Sequence, residues 1–241
     1  PRPRPPDMQT APIVPATIAF EDGAPPRAPA IDDVYHPAGG ALAQARHVFL
    51  QGNGLPARWA GRRRFVILET GFGLGNNFLA TWQAWRDDPQ RCAQLVFVSI
   101  EKHPPRREDL PRAHAASPLA ARAADLVAAW PPLTPNLHVL DFDGGRVRLL
   151  LSLGEVADWA SALQLQADAF FLDGFAPARN PAMWDERLIR ALARLAAPGA
   201  TAATWSAARS LRDALAASVF EVRLAPGFDA LCWGELLPEE V

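Results

Sequence analysis

Three acidic residues in this chain each close a short apolar run: Glu69 ends RFVILE, Glu101 ends QLVFVSIE and Asp173 ends ADAFFLD. Directly behind the first lies ETGFGLGNN, which sets Gly71, Gly73 and Gly75 at alternate positions. Glycines so spaced make a poor helix interior, but they let backbone approach a ligand because they tolerate positive φ and carry no Cβ. What that ligand is follows from the neighbours. The dinucleotide fingerprint GxGxxG leads a pyrophosphate onto a bare helix N-terminus. Here the spacing is GxGxG, Asn76 and Asn77 come next, and the carboxylate of Glu69 would repel a pyrophosphate. S-adenosylmethionine has no phosphate and carries a sulfonium and an ammonium group, so an acid at position 69 favours it over a nicotinamide dinucleotide. Glu101 stands where a carboxylate accepts hydrogen bonds from two adjacent ribose hydroxyls. By the same strand-end logic Asp173 points into the crevice of the other two acids, opposite the transferable methyl group.

These acids meet only if their runs are strands of one sheet with the same direction. The sequence supports that arrangement: RFVILE is followed by the helical pattern NNFLATWQAW, QLVFVSIE by LPRAHA and SPLAARAADLVAAW, ADAFFLD by PAMWDERLIRALARLA, and ATAATW by SAARSLRDALAA, with NLHVLDF as a further strand. Continuous apolar strands alternating with helices imply a parallel sheet covered on both faces, a doubly wound α/β fold. Ser117-Pro118 supplies a helix N-cap with proline at the first helical position, and Pro198-Gly199 stops the preceding helix. VFEVRLAPGFDALCWGEL predicts a closing antiparallel hairpin turning at Pro226-Gly227. At the other end, a short strand from Thr17 to Phe20 precedes an Asp-Gly turn. The expected division is a flexible proline-rich start (1–16), a small β and linker element (17–60) and the main domain (61–241).

Composition narrows the function classes. With 241 residues, 49% of them hydrophobic, the chain can bury a core of enzyme size, and a net charge of −2 advertises no polyanion partner, so any contact with nucleic acid has to be local. Cys92 and Cys232 have no metal or redox spacing and the five histidines form no ligand pair, so no metal is expected. No apolar stretch approaches the roughly 20 residues of a membrane span, and PRPRPPDMQT lacks a signal-peptide core. The expected location is the cytoplasm.

Five blocks carry a family resemblance: DDVYH (32–36), ARHVFLQGNGLPARW (45–59), ETGFGLGNNFLATWQAW (69–85), VSIEKHP (98–104) and above all FLDGFAPARNPAMW (171–184). From about residue 17 onward the chain resembles the methyltransferase domain of the bacterial tRNA-modifying MnmC proteins and their stand-alone relatives. The resemblance implies a class I methyltransferase sheet of seven strands with the last pair antiparallel. It also implies methylation of the amine of 5-aminomethyl-(2-thio)uridine at the tRNA wobble position, with S-adenosylmethionine as donor. An FAD-dependent oxidase, fused or in trans, is the implied partner, and the 241 residues contain no second glycine fingerprint for it.

On that basis the site divides as follows. Glu69, Gly71, Gly73, Gly75 and Asn76 face the methionine part of the cofactor, Glu101 the ribose and Lys102 the adenine edge. Glu155 occupies a place where related methyltransferases hold the adenine amine, although a first-turn acid complementing a helix dipole explains it equally. Asp173 orients the substrate amine and takes its proton. Phe175, Asn180 and Trp184 contact the flipped-out base, Trp184 being as well explained by the core. One departure bears on RNA: relatives commonly carry a basic cluster after a C-terminal Gly-Phe pair, whereas this chain has Asp229 there. Positive charge must then come from Arg62–Arg64, from Arg106, Arg107 and Arg112, or from Arg179. Methylation of a small-molecule or protein amine, nicotinamide-dependent redox chemistry and cofactor binding without catalysis remain as alternatives.

Overall fold

The computed structural model describes residues 11–218, 220–225 and 233–238. A two-stranded antiparallel sheet, β1 (Arg27–Ala28) with β2 (Asp33–Val34), comes first. Of the expected strand Thr17–Phe20 only Ala19 forms a bridge, to Arg27, and Asp22 and Gly23 make the turn. Helix α1 (Ala41–Gln44) runs into a wider-wound turn (Ala45–Gln51), and a short 3₁₀ turn (Ala57–Trp59) leads into β3 (Arg64–Glu69). Then come α2 (Asn76–Asp87), β4 (Gln94–Glu101), α3 (Asp109–Ala113), α4 (Ala120–Ala129), β5 (Leu137–Phe142), β6 (Val147–Leu153) and α5 (Val156–Ala162). The remainder is β7 (Ala167–Phe171), a 3₁₀ turn (Pro181–Trp184), α6 (Glu186–Ala193), β8 (Ala196–Thr204), α7 (Arg209–Ala216), β9 (Phe220–Ala225) and β10 (Trp233–Pro238).

The main sheet has the order β5-β6-β4-β3-β7-β8-β10-β9, with β6, β4, β3, β7 and β8 parallel. Strand period sorts its side chains into two cores. Phe65 and Ile67 face one core with Phe97 and Phe171, under α2 and α4; Val66 and Leu68 face the other with Val98, Ile100 and Phe170, under α5, α6 and α7. Burial on both faces is why RFVILE lacks polar alternation. From β3 the chain winds outward through β4 and β6, then returns to the other side of β3 with β7 and β8. The strand order therefore reverses between β3 and β7, and ligands of such sheets bind outside the carboxyl ends of the strands at that point.

Four local expectations change. NLHVLDF is β5, an antiparallel edge strand, and the inner strand beside β4 is VRLLLSL, which makes eight strands in the main sheet among the described residues where seven were expected. Arg148 interrupts the apolar signal of β6; its side chain lies near the edge and pairs with Asp141 across the hairpin at 2.7 Å. Pro198-Gly199 does not end a helix: α6 stops at Ala193, and the pair lies inside β8, where the register slips between Ala167↔Ala196 and Ala169↔Thr201 and Gly199 has φ 72°. Ser117 caps one turn before the helix, its hydroxyl accepting from Leu119 N–H at 3.1 Å. The terminal hairpin pairs β9 with β10 antiparallel, while Pro226-Gly227, Asp229 and Cys232 lie outside the described residues. Cys92 is free and buried. No helix among the described residues is long and apolar enough to cross a membrane.

Candidate active site

The tips of β3, β4 and β7 bring Glu69, Glu101 and Asp173 to one end of the sheet. The tips are tied by backbone: Thr70 N–H donates to the Phe171 carbonyl at 3.2 Å, and the Thr70 hydroxyl donates to the Asp173 carbonyl at 2.8 Å. A Cβ on Gly71 would sit 3.1 Å from that carbonyl, so a side chain there would press the two strand tips apart by a few tenths of an ångström. Gly75, at φ 80°, caps α2 in the left-handed region, and a Cβ there would meet Phe72 at 2.8 Å. Two of the three loop glycines are thus explained by the protein itself. The loop is braced from below by His114, 3% exposed, whose Nε2 lies 2.9 Å from the Leu74 carbonyl.

Each carboxyl group has a different setting. Glu69 is fully buried: Oε1 accepts from Asn77 Nδ2 at 2.9 Å and Oε2 from Ser99 Oγ at 2.6 Å. Burial pushes its pKa well above the usual carboxylate range, against the Ser99 hydrogen bond and with the Asp173 charge. It lies beneath the loop, with the Asn77 carboxamide between it and Asp173. Glu101 spans the loop, Oε2 accepting from Gly73 N–H at 2.8 Å and Oε1 from His103 N–H at 2.7 Å. Burial raises its pKa too, opposed by those N–H groups. Asp173 accepts from Gly174 N–H at 2.8 Å through Oδ1 and from Asn77 Nδ2 at 2.7 Å through Oδ2. Burial lifts it to about 6, the Gly174, Asn77 and Trp205 hydrogen bonds pulling the other way and Glu101 adding to the rise.

Among the described residues no lysine or arginine donates to any of the three carboxyl groups. Acids concentrated without a counter-cation fit a positively charged, phosphate-free ligand and disfavour a pyrophosphate. S-adenosylmethionine has that charge and no phosphate.

Lys102 and Glu155, both half exposed, pair with each other at 2.5 Å, beside Gly154, whose N–H donates to the Glu101 carbonyl at 2.9 Å. That puts them on the rim next to Glu101. Asn76 opens α2 at the loop. The loop after β7 carries Phe175 and Asn180, and Trp184 lies under it: 6% exposed, packed in the second core, its indole N–H donating to the Phe175 carbonyl at 2.9 Å. A buried Trp184 supports Phe175 from below and offers little surface for a base.

Four residues that the sequence did not single out join the site. Asn77 bridges two of the acids, and Trp205, at the tip of β8, reaches the Gly174 carbonyl at 3.2 Å. From the small N-terminal sheet, Asp33 accepts from Ala176 N–H at 2.9 Å, and Tyr35 packs edge-on against Phe175 with ring centroids 5.4 Å apart. Burial, then the charges of Glu101 and Asp109, raise the Tyr35 pKa. Arg179 adds an ion pair to Asp32 at 3.1 Å, so the loop bearing Asp173 is clamped from outside as well as beneath. DDVYH appeared only as one of the family blocks, its contact with residues 175–179 being formed across the fold.

Residues 117–230 match a family described as S-adenosyl-L-methionine-dependent methyltransferase. Over 220 residues, 91% of its length, the chain is 67% identical to the tRNA 5-methylaminomethyl-2-thiouridine biosynthesis bifunctional protein MnmC of Methylibium petroleiphilum, and it is 57% identical over 90% of its length to the protein of that name from Aromatoleum aromaticum. It covers 34% of each, so the chain spans about a third of the curated relatives it matches. Among solved structures, MnmC2 from Aquifex aeolicus superposes with a TM-score of 0.73 at 20% identity, over 95% of this chain and 71% of that one.

Proposed function

We propose that this chain, a class I S-adenosyl-L-methionine-dependent methyltransferase domain, N-methylates the 5-aminomethyl group of (2-thio)uridine at the tRNA wobble position, giving the 5-methylaminomethyl form. The observation that carries the reading is Asp173: a carboxyl raised to about pKa 6, with no cationic partner among the described residues, at the strand tip beside Glu101 and under a loop bearing Phe175. The relatives' names supply the substrate.

When bound, the cofactor supplies a methyl group whose carbon–sulfur bond breaks with both electrons going to sulfur. The chain's part is to present a neutral nitrogen in line, roughly 3 Å from that carbon. An alkylamine is mostly protonated at neutral pH; Asp173 takes one proton from the ammonium, which frees the lone pair that forms the new N–C bond, and then releases the proton to solvent. A base near pKa 6 is ionised at pH 7 and still a better acceptor than an ordinary aspartate. Glu101 holds the ribose hydroxyls through its remaining lone pairs, with Lys102 and Glu155 at the adenine rim. Gly71, Gly73, Gly75 and Asn76 line the methionine side. Phe175 and Tyr35 give the uracil ring an aromatic face and Asn180 a polar edge.

For the RNA backbone, Arg106, Arg107 and Arg112 are the fitting cations. They follow Glu101 closely, are exposed, and are oriented by the Ala16 carbonyl, the Ala128 carbonyl and the Phe20 ring respectively, with no carboxylate partner among the described residues. Arg62–Arg64 lie at the start of β3, the opposite end of the sheet, and Arg179 is already paired. Because the relatives are bifunctional, an FAD-dependent oxidase acting before this domain, fused or in trans, completes the reading, and a tRNA substrate implies the cytoplasm. The test is nucleoside mass spectrometry of aminomethyl-uridine tRNA incubated with protein and S-adenosylmethionine. One added methyl on that nucleoside is expected; methylation of free amines but not of tRNA would replace the reading with its small-molecule alternative.

A further inference from the structure

Asn77 is 7% exposed and its side chain faces the site from the first turn of α2. Its carboxamide nitrogen donates both to Glu69 Oε1, 2.9 Å away, and to Asp173 Oδ2, 2.7 Å away. A carboxamide has two N–H bonds, so this one nitrogen is fully used in bridging two acids that come from different strand tips. Its backbone is fixed on both sides. Gly75 in the left-handed region starts the helix, and the Thr81 hydroxyl donates to the Asn77 carbonyl at 2.6 Å.

Resting on the reading that Asp173 is the base, we propose that Asn77 is a positioning residue that sets the proton affinity of Asp173, holding its carboxylate ionised and aimed while keeping it apart from Glu69. The groups facing Asp173 divide by sign. Glu69 on β3 and Glu101 on β4 favour its protonated form; the Gly174 N–H on its own loop, the Trp205 indole at the end of β8 and the Asn77 amide on α2 favour the ionised form. Of these three donors Asn77 alone also touches Glu69. Remove it, and two carboxyl groups face each other with no donor between them, the arrangement in which one acid keeps its proton to higher pH. Asn76, the residue that the glycine motif points to, cannot substitute, because the next helical position turns about 100° away around the axis.

The test reads the proton directly, without cofactor or RNA. Protein labelled with ¹³C at the aspartate carboxyl carbons is titrated by NMR, with Asp173→Asn used to assign the Asp173 signal. In Asn77→Ala its midpoint is expected to move up by about one pH unit, the order of one lost hydrogen bond to a carboxylate. In Asn77→Ser, which keeps one short donor, the shift should be smaller. The acid limb of the methylation profile should move with the NMR midpoint, and activity should recover toward high pH. A midpoint unchanged in both folded variants, as judged by circular dichroism, overturns the proposal. If Asn77→Ala fails to fold, the same criterion is applied to Asn77→Ser. If Asp173→Asn methylates normally, the base assignment fails, and with it the role of Asn77 in catalysis, whatever the titration shows.

Discussion

Asp168 and Asp173 bracket one strand, five residues apart in ADAFFLD, and their surroundings are opposite. At the amino-terminal end of β7, Asp168 receives Arg62 at 2.8 Å on one oxygen and Val66 N–H at 2.8 Å on the other, while its carbonyl and those of Gly199 and Asn53 take up the guanidinium of Arg58. Arg58 also donates to Thr201, which donates to Asn53 at 2.6 Å, and the buried Asn53 amide closes the network on the Phe49 and Phe170 carbonyls. Every polar group named there has a partner, and charge meets charge. At the carboxyl-terminal end Asp173 has, among the described residues, N–H donors, two acidic neighbours and no cation. One end of the sheet spends its polar groups on holding strands together. The other leaves them short of a counter-charge that a ligand can provide.

The contrast can be broken most visibly at Asp173. Asp173→Asn keeps size and shape but removes the proton acceptor, so methylation should fall by about 10³-fold while affinity for S-adenosylmethionine, measured by calorimetry, changes little. At the other end, Arg58→Ala strands several buried acceptors and should cost about 3 kcal/mol of stability by urea unfolding, with turnover per folded molecule unchanged. The two substitutions should not exchange phenotypes.

A subtler consequence concerns pH. Asp173 is raised from 3.8 to about 6, so the folded state binds its proton more tightly than the unfolded chain. Its contribution therefore favours the fold below about pH 4 and is lost as pH rises through about 6. Asp173→Asn should then be more stable than the parent by about 3 kcal/mol at pH 8 and not at pH 4, seen as a pH-dependent gap in melting temperature. Exchanging Arg106, Arg107 and Arg112 for alanine should weaken tRNA binding roughly tenfold and flatten its dependence on salt, whereas Arg63 and Arg64 exchanged together should leave both alone. The smallest effect is expected from Asp33→Ala, which frees Ala176 N–H and loosens the outer clamp: a drop in kcat of about fivefold, with the melting temperature nearly unchanged.

Much of this division was legible beforehand, though unevenly. Glu69, Glu101 and Asp173 were marked by standing at the ends of apolar runs, and parallel strands must present those ends together. The inner strand β6 was hidden because Arg148 breaks its run, and its neighbour NLHVLDF offered a cleaner pattern. Pro198-Gly199 looked like a helix stop because a bulge inside β8 uses the same residues. Trp184 was equally consistent with a base contact and with the core, and its burial, which residue type does not fix, places it in the core.

Residue type and spacing alone determined the α/β class, the glycine loop and the three acids, since each depends on interactions within a few residues along the chain. Only the tertiary structure decided that Asn77 and not Asn76 joins Glu69 to Asp173, that Glu69 is sealed beneath the loop, and that Asp33 and Tyr35 hold residues 175 and 176. Those contacts link positions up to 143 residues apart. Their hydrogen bonds and desolvation arise from how strands pair and faces close, which local periodicity does not encode.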